Sequence, residues 1–240
     1  VVFGCDITAD NSTTYMSFFS QMDTYGDGYA GIGVWRAAFK PLVDRIADTD
    51  IRLQWFCCDR STGVTDASGN RITLIRDTQS PVAVEYQAVK FIGTGRDNIK
   101  AGVFSGWELG DYIYLRSEEA YMIKMEALAH KGSAEAVTEL NSFMKTRQPD
   151  YNYTFTNKAD LIEEIIYQKR VEFWGEGLEY IDNRRLNIPV DRTDETWGAE
   201  NNNHFSAGKF RYNQEDRPFL YQLPLSEIEN NSQLSPSDQN

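Results

Sequence analysis

Two amphipathic segments separated by only a few residues are the feature that most constrains the fold of this chain. In the first, YLRSEEAYMIKMEALAHKG, apolar residues recur at helical spacing, with Ser117 as a predicted N-cap and Gly132 as a predicted stop. The second, SAEAVTELNSFMKTR, follows at once and places Val137, Leu140 and Met144 on one face. Because the connection is so short, we predict two antiparallel helices packed as a hairpin.

A third helix is predicted after a short polar connection. It begins near Asn157 and carries Leu161, Ile162, Ile165 and Ile166 at helical spacing. A helical hairpin followed by a packed third helix is the arrangement of a tetratricopeptide-like solenoid, although the sequence signature of that repeat is not visible. We therefore predict a mainly α fold: a tetratricopeptide-like helical hairpin plus a packed third helix, with long irregular loops and a short β-hairpin.

The amino-terminal part of the chain is less regular. Pro41 suits the first turn of a short helix, where its missing N–H is not needed. Apolar residues alternate from Ile51 to Cys57 in IRLQWFCCDR, which predicts a strand that pairs with NRITLIRD across a turn-rich loop. We predict an irregular, loop-rich subregion over residues 1–110 and a helical subregion over residues 111–240, which together form one structural unit.

The first residues, VVFGCDITAD, have the pattern of an interior strand. They include no Met, no charged n-region and no apolar h-region of a signal peptide. We therefore expect this chain to be the C-terminal part of a longer protein whose amino-terminal half is missing. Any signal peptide or lipid-anchor cysteine would then lie outside this sequence.

The charge of the chain limits its partners. Lys and Arg total 24 and Asp and Glu total 36, which gives a net charge of −12. Nucleic acid is excluded as a partner because phosphate binding needs clustered Lys and Arg. An anionic membrane surface is disfavoured for the same reason, and the sequence has no apolar run long enough to span a bilayer. Neutral ligands such as sugars remain compatible with this charge.

The sequence predicts no cofactor and no metal centre. Cys5, Cys57 and Cys58 lack CxxC spacing and only two His accompany them, so a zinc site is not expected. Cys57 and Cys58 are interpreted as small buried hydrophobic residues, with a disulfide from Cys5 to one of them as the alternative. Asp23 and Asp27 lie in a glycine-rich loop that could hold calcium, but the EF-hand spacing is absent.

The segment KRVEFWGEGLEYIDNRR places charges where an apolar helix face should continue. On a helical wheel, Arg170 falls close to Ile162, Ile166 and Phe173, on the buried face. A buried guanidinium needs carboxylates or carbonyls as acceptors, and Glu126 is the first candidate. A catalytic carboxylate pair is the alternative, but a carboxylate held by an arginine makes a poor general acid. The predicted structural ion network comprises Arg116, Glu126, Arg170, Glu176, Asp182 and Arg185.

Four segments share their pattern with one protein family: LRSEEAYMIKMEALAHKG, LNSFMKTR, KRVEFWGEGLEYIDNRR and YQLPLSEIENN. The matching positions are Arg116, Glu119, Tyr121, Glu126 and Ala127 in the first, Leu140, Asn141 and Arg147 in the second, Arg170, Glu172, Phe173, Glu176, Gly177, Asp182 and Arg185 in the third, and Pro224, Glu227, Ile228 and Asn231 in the fourth. In this order and spacing, residues 111–240 resemble the C-terminal region of SusD/RagB-type outer-membrane glycan-binding lipoproteins.

The resemblance implies a receptor and not an enzyme. Such a protein binds an oligosaccharide or polysaccharide at the bacterial cell surface without catalysis. It delivers the glycan to a SusC-like TonB-dependent transporter in the outer membrane. A lipid anchor outside this chain would attach it to that membrane, and no cofactor is implied.

Flat aromatic rings in loops are the predicted ligand contacts, because sugar C–H faces pack on such rings while planar amides bind the hydroxyl groups. Asn201–Asn203 and His204 could supply hydrogen bonds. The candidate rings are Tyr15, Tyr25, Tyr29, Trp35, Trp107 and Trp197.

The residues alone are also compatible with two other functions. A glycoside hydrolase would need two carboxylates about 5–5.5 Å or about 6.5–9.5 Å apart. The candidates nearest loop tryptophans are Glu108, Asp111, Glu195 and Glu200. The third possibility is a helical scaffold that binds protein only, which would bind no carbohydrate and form a stable complex with a β-barrel partner.

Overall fold

The fold was obtained as a computed structural model, whose described residues form two compact units. The first unit is Val1–Glu172 and the second is Phe173–Asn240. The predicted subregion boundary at residue 110 stays a prediction. The described residues are 1–8, 10–11, 17–23, 28–30, 34–58, 84–91, 110–216 and 220–238.

The described part of the first unit is mainly helical, as predicted, and its long helices pack as a hairpin plus a third helix. The third helix, α5 (Lys158–Glu172), packs against α3 (Ser117–His130), and α3 packs against α4 (Glu135–Met144). The likeness to a tetratricopeptide array stays a prediction. The helices are α1 (Phe18–Met22), α2 (Lys40–Asp44), α3 (Ser117–His130), α4 (Glu135–Met144) and α5 (Lys158–Glu172).

The core of this helical layer comes from the apolar stripes that the sequence predicted. Burial of such side chains is the main favourable contribution to folding. The fully buried residues include Met122, Met125 and Ala129 on α3, Ala136, Leu140 and Met144 on α4, and Leu161, Ile165 and Ile166 on α5.

The turn between α3 and α4 ends the first helix with a glycine. Gly132 has a φ of +71°, the left-handed region that favours glycine. Its N–H donates to the carbonyl of Ala129 at 2.9 Å, and the N–H of Ser133 donates to the carbonyl of Leu128 at 2.9 Å. These two bonds form a Schellman motif, which satisfies carbonyls at the helix end. The predicted stop at Gly132 is confirmed, whereas the N-cap of α3 is Arg116 and not Ser117.

Replacing Gly132 with alanine is expected to lower the free energy of unfolding by about 1 kcal/mol. A Cβ at this position meets no atom within 4 Å. The loss would therefore come from backbone strain and not from a clash. Urea unfolding followed by circular dichroism measures the effect. The matched control is Lys131→Ala, because Lys131 has a φ of −74°. An equal loss in both variants would contradict the role of the left-handed backbone.

Two short antiparallel strand pairs accompany the helices of the first unit. Strand β1 (Phe3–Cys5) pairs with β4 (Tyr112–Leu115), and β2 (Phe56–Cys57) pairs with β3 (Gln87–Ala88). The predicted partner segment NRITLIRD lies outside the described residues. The strand predicted from Ile51 is wrong up to Trp55, because Ile51–Trp55 is a 3₁₀ helix.

The side chain of Asp50 explains this difference. Its carboxylate accepts a hydrogen bond from the backbone N–H of Arg52 at 2.9 Å, which caps a tight helical turn. Both Arg52 and Leu53 are then buried, so apolar and charged side chains share the interior. The alternation of apolar residues from Ile51 to Trp55 therefore does not indicate a β-strand.

Cys57 and Cys58 are buried, as predicted, and Cys5 is exposed. None of these three cysteines, all of which the structure describes, forms a disulfide. Pro41 lies in the first turn of α2, which confirms that prediction. The helix ends at Asp44.

The second unit consists of short elements joined by loops. Strands β5 (Val190–Asp191) and β6 (Arg211–Tyr212) form an antiparallel pair. The N-cap residue of the last described α-helix, Leu225–Asn230, is Pro224. The elements are α6 (Leu178–Arg185), β5 (Val190–Asp191), α7 (Asp194–Trp197), β6 (Arg211–Tyr212) and α8 (Leu225–Asn230). Across the described ranges of both units, no helix combines the length and apolar character needed to cross a bilayer.

Candidate functional site

A buried carboxylate at the end of α5 holds the first unit together. The Glu172 side chain is 1% exposed and lies against three guanidinium groups. Arg52 Nη1 is 3.4 Å from Glu172 Oε2, and Arg116 Nη1 is 3.2 Å from Oε1. Arg147 approaches with Nη2 at 3.0 Å from Oε1 and Nε at 3.3 Å from Oε2. We call these four residues the Glu172 cluster.

The backbone of Glu172 is engaged as well. Its carbonyl oxygen accepts from Lys90 Nζ at 2.7 Å and from Arg116 Nη2 at 3.0 Å. Burial alone would raise the pKa of the Glu172 carboxyl, but Arg147, Arg52 and Arg116 lower that pKa below its ordinary value. The carboxylate therefore stays ionised. The three arginines of the cluster, together with Lys90, tie four separate segments of the chain to α5.

Arg52 connects the Glu172 cluster to a cleft on the side of α5. Its guanidinium donates to Asp50 Oδ2 at 2.7 Å and to Gln168 Oε1 at 2.5 Å. The segment after α4 is fixed to the same place, because the N–H of Ile51 donates to the carbonyl of Arg147 at 2.9 Å. Nearby, the Thr49 hydroxyl donates to Asp150 Oδ1 at 2.6 Å. The cleft thus has walls held by hydrogen bonds that join distant parts of the sequence.

The cleft, which we call the tyrosine cleft, has a volume of about 340 Å³. This lies near the lower end of the range of about 300–1,000 Å³ for small-molecule sites. Its walls come from the end of α2, the residues after α4 and one side of α5. The lining residues are Arg45, Ile46, Ala47, Asp50, Gln148, Tyr151, Asn152, Tyr153, Glu164, Tyr167 and Gln168.

Glu164 is the polar centre of the tyrosine cleft. Its Oε1 accepts from the Tyr151 hydroxyl at 2.9 Å and from Gln168 Nε2 at 2.7 Å. Its Oε2 accepts from Arg45 Nη2 at 2.6 Å. The Arg45 guanidinium also lies over the ring of Tyr167, 3.9 Å from its centroid. These contacts fix the orientation of two of the three tyrosine rings.

The hydroxyl groups of Tyr151 and Tyr167 are neutral at physiological pH. Burial, followed by the charge of Glu164, raises the pKa of Tyr151 well above its ordinary value of 10.0. Burial likewise raises the pKa of Tyr167 from the same ordinary value. Both phenols therefore act as uncharged hydrogen-bonding groups.

Tyr153 differs from the other two tyrosines. Its backbone is clamped by one side chain, because its N–H donates to Asn141 Oδ1 at 2.7 Å and its carbonyl accepts from Asn141 Nδ2 at 3.0 Å. Its hydroxyl oxygen is buried and makes no hydrogen bond within the described part of the chain. Buried hydroxyl groups are nearly always paired, so this group has unused donor and acceptor capacity.

Comparison with known proteins gives the family. A family model described as the SusD family matches residues 86–240, a span that includes all four motif segments. The chain belongs to the SusD family. The resemblance that the motifs indicated is therefore confirmed, and no curated protein matches the chain.

Two solved structures share the SusD-family fold with this chain. A SusD-like carbohydrate binding protein from Bacteroides vulgatus ATCC 8482 is 21% identical with a TM-score of 0.65, over 97% of this chain and 48% of that one. A putative sugar binding protein from the same strain is 20% identical with a TM-score of 0.59, over 98% of this chain and 44% of that one. The chain thus spans about half the length of each.

The predicted ligand-binding aromatics of this SusD-family chain are only partly described. Tyr15, Tyr25 and Trp107 lie outside the described residues. Tyr29 and Trp35 in the first unit are 43% and 42% exposed, and Trp197 in the second unit is 38% exposed. These positions stay predictions as ligand contacts. Asp27 of the possible calcium loop also lies outside the described residues.

Polar groups near Trp197 stabilise the second unit. The indole N–H donates to the Asp191 carbonyl at 2.9 Å. Asn202 is buried and donates to Asp194 Oδ1 at 2.8 Å, so this predicted ligand contact is used internally. Within the described ranges, no group of three His, Cys, Asp or Glu side chains is placed to hold a metal ion.

The predicted ion network is distributed over both units. Arg116 belongs to the Glu172 cluster, and Arg185 pairs with Asp182 at 2.7 Å in α6. Glu176 is half-buried in the second unit. Glu126 is buried and pairs with Lys169 Nζ at 3.3 Å. The membership of this network as a whole stays a prediction.

The buried surface of α5 includes a basic residue that the helical wheel did not place there. Arg170 is half-buried with its Nε atom buried, and its neighbour Lys169 is 5% exposed. The second half of α5 buries residues around most of its circumference, including Gln168, Val171 and Glu172. A wheel assumes one buried face and therefore fails for such a helix.

Sequence reasoning missed the tyrosine cleft. Tyr151 and Tyr153 belong to a segment to which the sequence assigns no function. Tyr167 lies on α5, a helix whose apolar residues the sequence assigns to the core. The available signal was the Tyr-x-Tyr pattern directly after α4. Arg147 and Glu172 were noted as family-motif positions, but their contact could not be read from the sequence.

Proposed function

We propose that this chain belongs to a protein that binds glycans without catalysis. The tyrosine cleft is the observation that carries this proposal, because it combines aromatic rings with planar amides and uncharged hydroxyl groups. Sugars present C–H faces that pack on rings and hydroxyl groups that bind amides and carboxylates. Membership of the SusD family supports the same function, as do the names of the two structural neighbours.

The carboxylates of the cleft support binding and not hydrolysis. Glu164 accepts from three donors, and Asp50 is buried against Arg52. A glycosidase needs one carboxylic acid that can protonate the leaving oxygen and a second free carboxylate. Neither cleft carboxylate is available for these roles.

The acids proposed for the hydrolase alternative offer little support. Glu108 lies outside the described residues, and Asp111 Oδ1 accepts from the N–H of Ile7 at 3.4 Å. Glu195 and Glu200 are exposed in the second unit. Release of reducing sugar from any polysaccharide by the purified chain would favour hydrolysis over binding.

We further propose that the protein acts at the outer surface of a bacterial cell. A lipid anchor outside this chain would hold it at the outer membrane, and a SusC-like TonB-dependent transporter would receive the glycan. These proposals rest on the family. Co-purification of the full protein with a β-barrel transporter from detergent extracts would support the partnership, and its absence in reciprocal pull-downs would contradict it.

Replacing Tyr151 with alanine is expected to weaken glycan binding about tenfold, because the ring offers stacking area in the cleft. Isothermal titration calorimetry against a panel of neutral polysaccharides measures the loss. The matched control is Tyr151→Phe, which keeps the ring and removes the hydroxyl that donates to Glu164. We expect the control to retain most of the affinity.

Two results would contradict this proposal in different ways. If the unaltered chain bound no glycan of the panel, the proposed function would be wrong. If it bound glycans with the same affinity after Tyr151→Ala, the function would stand but the site would lie elsewhere.

A further inference from the structure

We infer that the tyrosine cleft recognises the end of an uncharged glycan by binding hydroxyl groups of the sugar. The Tyr153 hydroxyl is the contact that determines specificity. This inference rests on the proposed function and names the ligand class for the same site. Three observations carry it: an unpaired phenol, the pairing of the cleft's charges, and the size of the cleft.

The unpaired phenol is the first observation. Tyr153 lines the cleft, and its buried hydroxyl has no hydrogen-bond partner among the described residues. A hydroxyl can donate one hydrogen bond and accept two, so a sugar hydroxyl is a matched partner. Pairing requires the side chain to rotate towards the cleft surface. The hydrogen bond that is missing in the free protein provides the driving force for that rotation.

The pairing of charges is the second observation. Arg45 is the cation among the described lining residues, and Glu164 accepts from it at 2.6 Å. Asp50, beneath the cleft, is held by Arg52 at 2.7 Å. A sugar carboxylate needs an available guanidinium or ammonium group. In the cleft, the sugar carboxylate would instead lie near the negative charges of Glu164 and Asp50. Binding of uronic acids is therefore disfavoured, and neutral sugars are accepted.

The size of the cleft is the third observation. A volume of about 340 Å³ is small for an extended polysaccharide. Sites near the lower end of the usual range hold a compact ligand of small-molecule size. The cleft therefore fits the terminal residues of a glycan, and the remaining chain would run out over the surface.

The test uses Tyr153→Phe in the full chain, with neutral gluco-, manno- and xylo-oligosaccharides and oligogalacturonate as ligands. Removing one hydrogen bond to the sugar should weaken neutral-oligosaccharide binding about three- to tenfold. Thermal melting should show unchanged or increased stability of the free variant, because an unpaired buried hydroxyl is removed. A merely structural role would lower stability instead. Tyr121→Phe is the matched control, because Tyr121 is on α3 and 54% exposed.

The outcomes separate the inference from the proposed function. Neutral binding that falls in Tyr153→Phe but not in Tyr121→Phe supports both. Neutral binding that is unchanged in Tyr153→Phe, or preferred binding of oligogalacturonate, overturns the inference and leaves glycan binding in place. A lower melting temperature of Tyr153→Phe also overturns the inference, because it would show that the Tyr153 hydroxyl already has a hydrogen-bond partner, a water or a residue, in the free protein. No binding of any oligosaccharide overturns both.

A second variant tests the charge argument in the opposite direction. Glu164→Gln removes the carboxylate that pairs with Arg45 at 2.6 Å. Among the described residues, Arg45 then keeps only the exposed Glu163 carboxylate, 3.9 Å away, as an acidic neighbour. Its guanidinium should therefore bind a sugar carboxylate, and the affinity for oligogalacturonate should rise about ten- to a hundredfold. An affinity for oligogalacturonate that stays at the level of the unaltered chain would overturn the assignment of neutral selectivity to the Arg45–Glu164 pair.

Discussion

Replacing Glu172 with glutamine is expected to lower the free energy of unfolding by about 3–5 kcal/mol. The variant keeps the volume of the side chain but removes the charge that three guanidinium groups share. Arg52 is 1% exposed, and Arg116 and Arg147 are 18% and 22% exposed. Water cannot replace the lost carboxylate around Arg52, so a buried cation would lose a counter-charge.

Urea unfolding at neutral pH measures this loss. The control is Glu163→Gln, because Glu163 is 77% exposed and lies 3.9 Å from Arg45. An exposed pair of this kind contributes little, and we expect a change within about 0.5 kcal/mol. Equal effects of the two substitutions would show that the Glu172 cluster does not stabilise the fold.

The effect of Glu172→Gln should also depend on pH. The pKa of Glu172 is lower in the folded protein than its ordinary value of 4.5. A group with a lowered folded-state pKa contributes stability above its unfolded pKa and loses it as the pH falls through the folded pKa. The stability difference between the unaltered chain and Glu172→Gln should therefore be largest near neutral pH and shrink below pH 4.5.

The helices of this fold could be predicted from the sequence because their signals are local. Apolar spacing, a short connection and Gly132 fixed the hairpin within a few residues. The 3₁₀ helix at Ile51–Trp55 could not be predicted, because Arg52 is buried by partners as distant as Glu172. Its local pattern of alternating apolar residues matches a strand equally well.

The tyrosine cleft could not be predicted for a related reason. Its rings come from the segment after α4 and from α5, and Arg45 comes from the end of α2. Nothing in the sequence pairs Arg45 with Glu164, which are 119 residues apart. The sequence favours aromatics in glycine-rich loops as candidates, because exposure is common there, and it gives no such signal for tyrosines next to regular helices. Family motifs marked Arg147 and Glu172, which position the cleft, and did not mark the cleft itself.

The buried pair of Lys169 and Glu126 provides the second large expected effect. Lys169 Nζ lies 3.3 Å from Glu126 Oε2, and the two side chains are 5% and 6% exposed. This contact joins α5 to α3 inside the helical layer. Removing one member leaves the other buried charge without this partner, whereas removing both leaves neither charge to desolvate.

We therefore expect Lys169→Met and Glu126→Leu each to lower the free energy of unfolding by about 3–5 kcal/mol. The double variant should recover most of that loss and unfold with a free energy within about 1 kcal/mol of the unaltered chain. Urea unfolding of all four proteins at one pH gives the coupling energy directly.

The comparison between single and double variants decides what the pair does. If the two single losses simply add in the double variant, then each charge has its own partners and the pair is not a unit. If the double variant is as stable as the unaltered chain, the attraction between the two groups only offsets the energy of removing them from water. The helical layer of α3, α4 and α5 would then be held by its apolar core and by the Glu172 cluster, because Glu172 binds three cations at once and cannot be replaced by an apolar pair.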